Sequence, residues 1–195
     1  VHGGNRLGAN SLLDTLIFGA RAGADAAARA RGDPMPRAPA SSLRDAQAAI
    51  DAILAREPRS GARRISELKA ELGTTMNRHV AVFRDAAGLA TAHEVVRRLK
   101  EEAPRAAIDD HGTVFNQDVL AALELDAMLD CAEAIVVAAQ ARRESRGAQF
   151  RTDFPRRDDD RWLHHITITH DGGDVPRTGT APVTITRWEP QERTY

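Results

Sequence analysis

Cysteine is nearly absent from this sequence of 195 residues, Cys131 being the only one. A lone thiol excludes an intramolecular disulfide framework and any cysteine-cluster zinc or iron–sulfur site. An excess of charge is missing too: 27 Lys+Arg stand against 28 Asp+Glu, a net charge of −1. A chain this balanced does not bind phosphate backbones as its main task, so no nucleic-acid partner is expected. Long apolar runs are also lacking. The run near Cys131, Ala134 to Ala139, falls far below the roughly 18 residues a membrane span needs. The opening residues show no charged-then-apolar pattern, and there is no internal repeat. What remains is 42% hydrophobic and 28% charged residues. That composition buries a core, in one sizeable domain or a smaller one with extensions.

The chain opens at Val1 and runs at once into Gly3-Gly4-Asn5-Arg6-Leu7-Gly8. A domain rarely starts inside a Gly-rich loop, so this reads as a piece cut from a longer polypeptide, with a chain trimmed during processing as the alternative. A helix follows, capped by Asn10 or Ser11, with Leu12, Leu13, Leu16, Ile17 and Ala20 at helical spacing. Gly19 and Gly23 share one side of it and suit close approach of another backbone. Pro34, Pro36 and Pro39 break the chain into a linker. Ser41 or Ser42 then caps a short helix that Glu57-Pro58 ends.

From Ala62 the pattern is strongly helical. Ile65, Leu68 and Leu72 form one stripe; Val80, Phe83, Leu89, Val96 and Leu99 continue until Pro104. Asn116 caps a long helix through Leu120, Leu123, Ala132, Ile135 and Val136 to about Arg143. Three antiparallel helices bury these stripes against one another. Arg142 to Arg161 then holds seven Arg against five acidic residues, a local +2, with Phe150 and Phe154 interleaved. Two strands are expected after it, Trp162–Thr169 and Pro182–Trp188, around the turn Asp171-Gly172-Gly173-Asp174.

Arg6 is the first candidate for chemistry. It stands just ahead of a helix N-terminus, where unpaired amides and the helix dipole favour an anion, and its fork can hold a carboxylate or phosphate bidentately. On spacing alone, a surface-loop arginine is the simpler reading, since the glycines make neither a dinucleotide fingerprint nor a P-loop. His164 and His165 point to opposite faces of a strand, and no HExxH pattern exists, so no metal site is expected. Cys131 reads as inert packing. Arg142-Arg143-Glu144-Ser145-Arg146-Gly147 suits a helix C-terminus closed by a C′ glycine, or a docking surface, equally well.

His2 to Asp14, continuing to Phe18-Gly19 and Ala22-Gly23, resembles a signature of the succinate dehydrogenase and fumarate reductase flavoprotein subunit. Met76 to Arg84, Leu123-Glu124-Leu125, Arg143 to Ala148, Asp153 to Asp159 with Trp162-Leu163, and Thr186 to Pro190 with Tyr195 are similar to the same subunit in the same order. Asn77, where the family often has tryptophan, and Gln149, where histidine is frequent, depart from it. The Glu-Ser-Arg-Gly portion also occurs in L-aspartate oxidases.

The resemblance implies a mainly α fold: an antiparallel three-helix bundle preceded by the last loop and helix of an FAD-binding domain and followed by a small β-hairpin tail. It divides the chain into 1–40, the end of the FAD-binding domain; 41–145, the helical bundle; and 146–195, an Arg-rich extended tail with two short strands. It also implies succinate oxidation to fumarate, or the reverse, by hydride transfer with FAD, electrons passing to an iron–sulfur subunit. Arg6 would bind the dicarboxylate substrate. Ser11 and Leu12 would meet the flavin through their backbone. Catalytic residues, the flavin-linked histidine included, would lie before Val1, leaving none here, and His2 is not that histidine. The implied location is cytoplasmic, at the inner face of a bacterial plasma membrane, with membrane contact only through anchor subunits. Two alternatives accompany this reading: an L-aspartate oxidase-like flavoprotein, and a helical docking module without activity of its own.

Overall fold

A computed structural model describes residues 8–57, 60–173, 175–187 and 189–191. The Ala- and Leu-rich stretch after the Gly-rich opening forms α1, Asn10–Gly32, which stops where Asp33 turns extended ahead of Pro34. The residue at its cap is Ala9, in the left-handed region at φ 64°, with no side-chain cap. Asn10 and Ser11 lie inside the first turn instead of capping it, because the Ala9 carbonyl already accepts from the N–H groups of Leu12 at 3.1 Å and Leu13 at 3.4 Å. No residue of α1 is buried, and Leu12 and Leu16 are each 71% exposed. A Cβ at Gly19 or Gly23 would meet nothing within 4 Å, so no described residue makes the close approach their spacing suggests.

Pro39 enters α2, Ala40–Leu54, two residues earlier than a Ser41 cap would. The bundle comprises α3 (Ile65–His79), α4 (Ala86–Glu102) and α5 (Gln117–Ala141). Asp85 caps α4 by accepting from the Gly88 N–H at 2.7 Å, and Asn116 caps α5 by accepting from the Val119 N–H at 2.9 Å. A 3₁₀ turn, Ala103–Arg105, closes α4 at Pro104. Successive helices run antiparallel. Arg63, at the start of α3, reaches Glu102, at the end of α4, at 3.1 Å, and Gln140, near the end of α5, donates to the Leu89 carbonyl near the start of α4 at 3.2 Å. Leu68, Leu72, Val96, Leu99, Leu125 and Leu129 are buried together, joined by Ile53 from α2. A second cluster, Val80, Leu89, Ala92, Val136 and Ala139, is linked to the first through Met76. Each leucine buried this way is worth about 2 kcal/mol.

Two small sheets attach the tail. β1 (Phe83–Arg84) pairs in parallel with β2 (Phe150–Arg151), a pairing too short to leave any periodicity in the sequence. After the short helix α6 (Asp159–Trp162), β3 (His164–Thr169) pairs antiparallel with β4 (Arg177–Pro182). The first strand starts two residues later than the expected Trp162, which ends α6, and stops at Thr169 as expected. The second lies earlier than the Pro182–Trp188 stretch, since the turn sets Thr169 opposite Arg177 and the ladder runs out at His164 opposite Pro182. Proline has no N–H with which to continue it. Trp188 lies outside the described residues. β3 lies against α5, with His164, Ile166 and Ile168 on its half-buried face.

Candidate functional site

The start of α1 is the region that the sequence singles out. Arg6 lies outside the described residues, as does His2. Ser11, in the first turn, is half-buried; Leu12 points outward, and its N–H already has the Ala9 carbonyl as partner. A left-handed alanine is strained by roughly 1–3 kcal/mol, a cost met most often where geometry serves a site. No acidic residue occupies the first turn. The positive end of a 23-residue helix is therefore not neutralised by its own side chains, which suits an anionic group or a ring that gains negative charge.

Where α5 ends, a cluster of charged side chains gathers around Glu144, which is 0% exposed. Its carboxylate accepts from Arg142 Nη1 at 2.5 Å, from Arg146 Nε at 2.7 Å and Nη2 at 3.0 Å, and from the Asp158 N–H at 2.9 Å. Burial pushes the Glu144 carboxyl upward, but Arg146, the Asp158 amide and Arg142 outweigh it and hold it below the usual carboxylate range. Arg142 continues to the carbonyls of Trp162 at 3.0 Å and His164 at 2.6 Å, with its guanidinium over the Trp162 ring. Arg146 also holds Asp159, which Arg157 pairs from the other side. Mainly through Arg157, against burial and with help from Arg146, Asp159 is lowered to about 2. One buried carboxylate thus ties the end of α5 to the tail and the hairpin.

Arg151, buried as well, closes α5. Its Nη1 donates to the carbonyls of Ala139 and Arg142, both at 2.9 Å, while Nε and Nη2 grip Asp153 at 2.8 and 2.7 Å. Asp153 in turn accepts from the Ala86 N–H at 3.0 Å, at the first turn of α4. The helix ends at Ala141, earlier than Arg143. Gly147, at φ 60°, serves the Arg146–Gln149 turn and is not the C′ residue of α5. The departures fit: Asn77 is exposed on α3, and Gln149 bridges Arg84 Nη1 at 2.7 Å to the Glu144 carbonyl at 3.2 Å.

Sequence reading missed the Glu144 and Arg151 clamps, because their partners come from distant carbonyls and carboxylates. The only local signal was the alternation Arg142, Glu144, Arg146. His164 and His165 take opposite faces of β3, and among the described residues no three His, Cys, Asp or Glu side chains gather to hold a metal. Cys131 is exposed on α5 and not packed, the core position beside it being filled by Ala132. No described helix is long and apolar enough to cross a membrane.

A helical bundle closed by an arginine-clamped tail and preceded by an anion-favouring helix start has the architecture of a flavoprotein's C-terminal helical domain. The model of the family described as "Fumarate reductase flavoprotein C-term" matches residues 69–195, and the chain belongs to that family. The fumarate reductase flavoprotein subunit of Mycobacterium tuberculosis is 44% identical over 200 residues, covering 100% of this chain and 34% of that protein. Among solved structures, E. coli quinol fumarate reductase superposes with a TM-score of 0.84 at 30% identity, over 98% of this chain and 33% of that one. Mycobacterium smegmatis Sdh1 superposes with a TM-score of 0.85 at 33% identity, over 94% and 31%. The chain spans about a third of the length of the relatives it matches.

Proposed function

We propose that this chain is the C-terminal third of a flavoprotein subunit that interconverts succinate and fumarate. Residues 1–40 would end its FAD-binding domain, 41–145 would form its helical domain, and 146–195 its clamped tail. Bound FAD would supply a hydride-accepting ring. Ser11 and Leu12 would meet it through the backbone at the start of α1, where the absence of acidic side chains leaves the helix dipole free to stabilise negative charge. Arg6 would hold one carboxylate of the C4 substrate bidentately and fix its C–C bond for hydride transfer. Electrons would pass to an iron–sulfur subunit, and anchor subunits would hold the assembly at the cytoplasmic face of a bacterial plasma membrane.

The observation that carries this reading is the family match over 69–195, which the helix start without acidic residues in its first turn supports. The test is turnover by the full-length parent. Succinate oxidation or fumarate reduction with stoichiometric FAD is expected, and no oxidation of L-aspartate. Aspartate oxidation without turnover of either C4 diacid would overturn it.

A further inference from the structure

We infer that Asp171 is a site of spontaneous covalent modification, isomerising to isoaspartate through the backbone nitrogen of Gly172. Asp171-Gly172 is the only Asp-Gly step in the sequence, and no Asn-Gly step occurs. Closing an aspartate carboxyl onto the next backbone nitrogen needs a reachable carboxyl, a nitrogen not engaged elsewhere, and no side chain crowding it. The turn between β3 and β4 supplies all three. The Asp171 side chain is 47% exposed. Its Oδ1 accepts from the Gly173 N–H at 3.3 Å, a contact that holds the carboxyl beside the intervening Gly172 peptide. The Gly172 N–H donates to no described residue. Gly172 takes φ 85°, which glycine adopts freely, and a Cβ there would meet nothing within 4 Å, so the nitrogen stands open. Oδ2 meets Arg177 at 3.3 Å, but both side chains are exposed and such a pair restrains the carboxyl only weakly.

The chemistry needs no oxidant and no cofactor. The Gly172 nitrogen attacks Asp171 Cγ and the N–Cγ bond forms. One carboxyl oxygen leaves as water, taking the amide proton and one proton from solvent. A five-membered imide remains. Water then adds back at one of its two carbonyls. Opening at Cγ restores aspartate. Opening at the main-chain carbonyl leaves the chain running through Cβ and Cγ, one backbone atom longer, with the α-carboxylate as the side group; the mass is that of the starting chain. That extra atom falls in the turn that sets Thr169 opposite Arg177, and it displaces the carboxylate from Gly173 and Arg177. The far end of the hairpin is held separately, since Arg142 donates to the His164 carbonyl at 2.6 Å. Isomerisation therefore frays the hairpin from its turn. None of this involves the start of α1, so the proposal stands whether or not the parent acts on succinate.

The test ages the folded 195-residue chain at neutral pH, with circular dichroism confirming the fold. Methyl transfer from S-adenosylmethionine by an isoaspartyl O-methyltransferase reads the product, and fragmentation mass spectrometry locates it. Label should accumulate at Asp171 and at no other aspartate. Asp171→Glu keeps the charge but would have to close a six-membered ring, and should lower the labelling rate about tenfold or more, a barrier higher by ~1.4 kcal/mol. In the labelled fraction, hydrogen exchange should quicken at the Thr169–Arg177 end of the hairpin and stay unchanged at His164. Label that appears only after unfolding in urea, that spreads equally over other aspartates, or that survives Asp171→Glu undiminished would overturn the proposal.

Discussion

Glu144 concentrates the electrostatics of the tail in one side chain. With no exposure and three groups donating to it, it cannot lose its charge without leaving Arg142 with no carboxylate, Arg146 with Asp159 alone and the Asp158 amide facing a neutral group. Glu144→Gln should therefore cost about 3 kcal/mol of stability. The pH dependence follows from the same contacts. Glu144 and Asp159 both titrate lower in the folded chain than the ordinary carboxylate values near 4 that apply when it unfolds. Between about pH 5 and 2, the unfolded chain binds more protons, so stability present above that window is lost as the pH falls through it. Thermal unfolding followed by circular dichroism should show Tm falling over this range, and falling less steeply in Glu144→Gln. Parallel slopes would deny the clamp its role.

The elements differ in how plainly the sequence announces them. The bundle was legible because Leu68/Leu72 and Leu89/Val96/Leu99 recur at helical spacing, and because Asn116 and Pro104 act locally. The stripe of α5 was only partly legible, since of the expected residues Ala132 and Val136 are buried while Leu120, Leu123 and Ile135 are exposed and Leu125 takes a core place. Phe83, expected in the apolar stripe, is exposed in β1. β3 was legible from its branched residues. β4 was not, since Arg177-Thr-Gly-Thr-Ala-Pro owes its pairing to the turn while the more strand-like Val183-Thr-Ile-Thr run lies past the proline that ends the ladder. The end of α5 was legible only in part. Arginine-rich termination was expected, but the residue that closes the helix is Arg151, ten positions beyond Ala141, and no local pattern announces so distant a cap. Arg151→Lys keeps the charge and loses the fork that reaches two carbonyls and Asp153. It should cost about 2–4 kcal/mol and speed hydrogen exchange in the last turn of α5 but not at its Asn116 end. Uniform acceleration along α5 would mean that Arg151 supports the whole fold and does not act as a cap.

For the molecule as a whole, the helix that begins at the proposed site has no buried residue, while the end of α5 is tightly clamped. In this chain Gly19→Ala has open space around it and should raise the helicity of α1, stabilising it by up to about 1 kcal/mol. In the full-length parent Gly19→Val should lower the yield of folded protein and leave substrate affinity unchanged, because there a second backbone is expected against this face. Neutrality in both settings would remove that expectation. Of the proposed site the sequence offers a helix start and an arginine ahead of it, and the second lies outside the described residues; its remaining walls would come from other parts of a parent about three times as long. The central claim is that Arg6 grips a C4 dicarboxylate beside the start of α1. The most direct measurement is kcat/KM for succinate in the full-length parent carrying Arg6→Ala, with FAD content read from the visible spectrum. A loss worth about 3 kcal/mol, roughly a hundredfold, with flavin retained is the predicted result; an unchanged kcat/KM would contradict it.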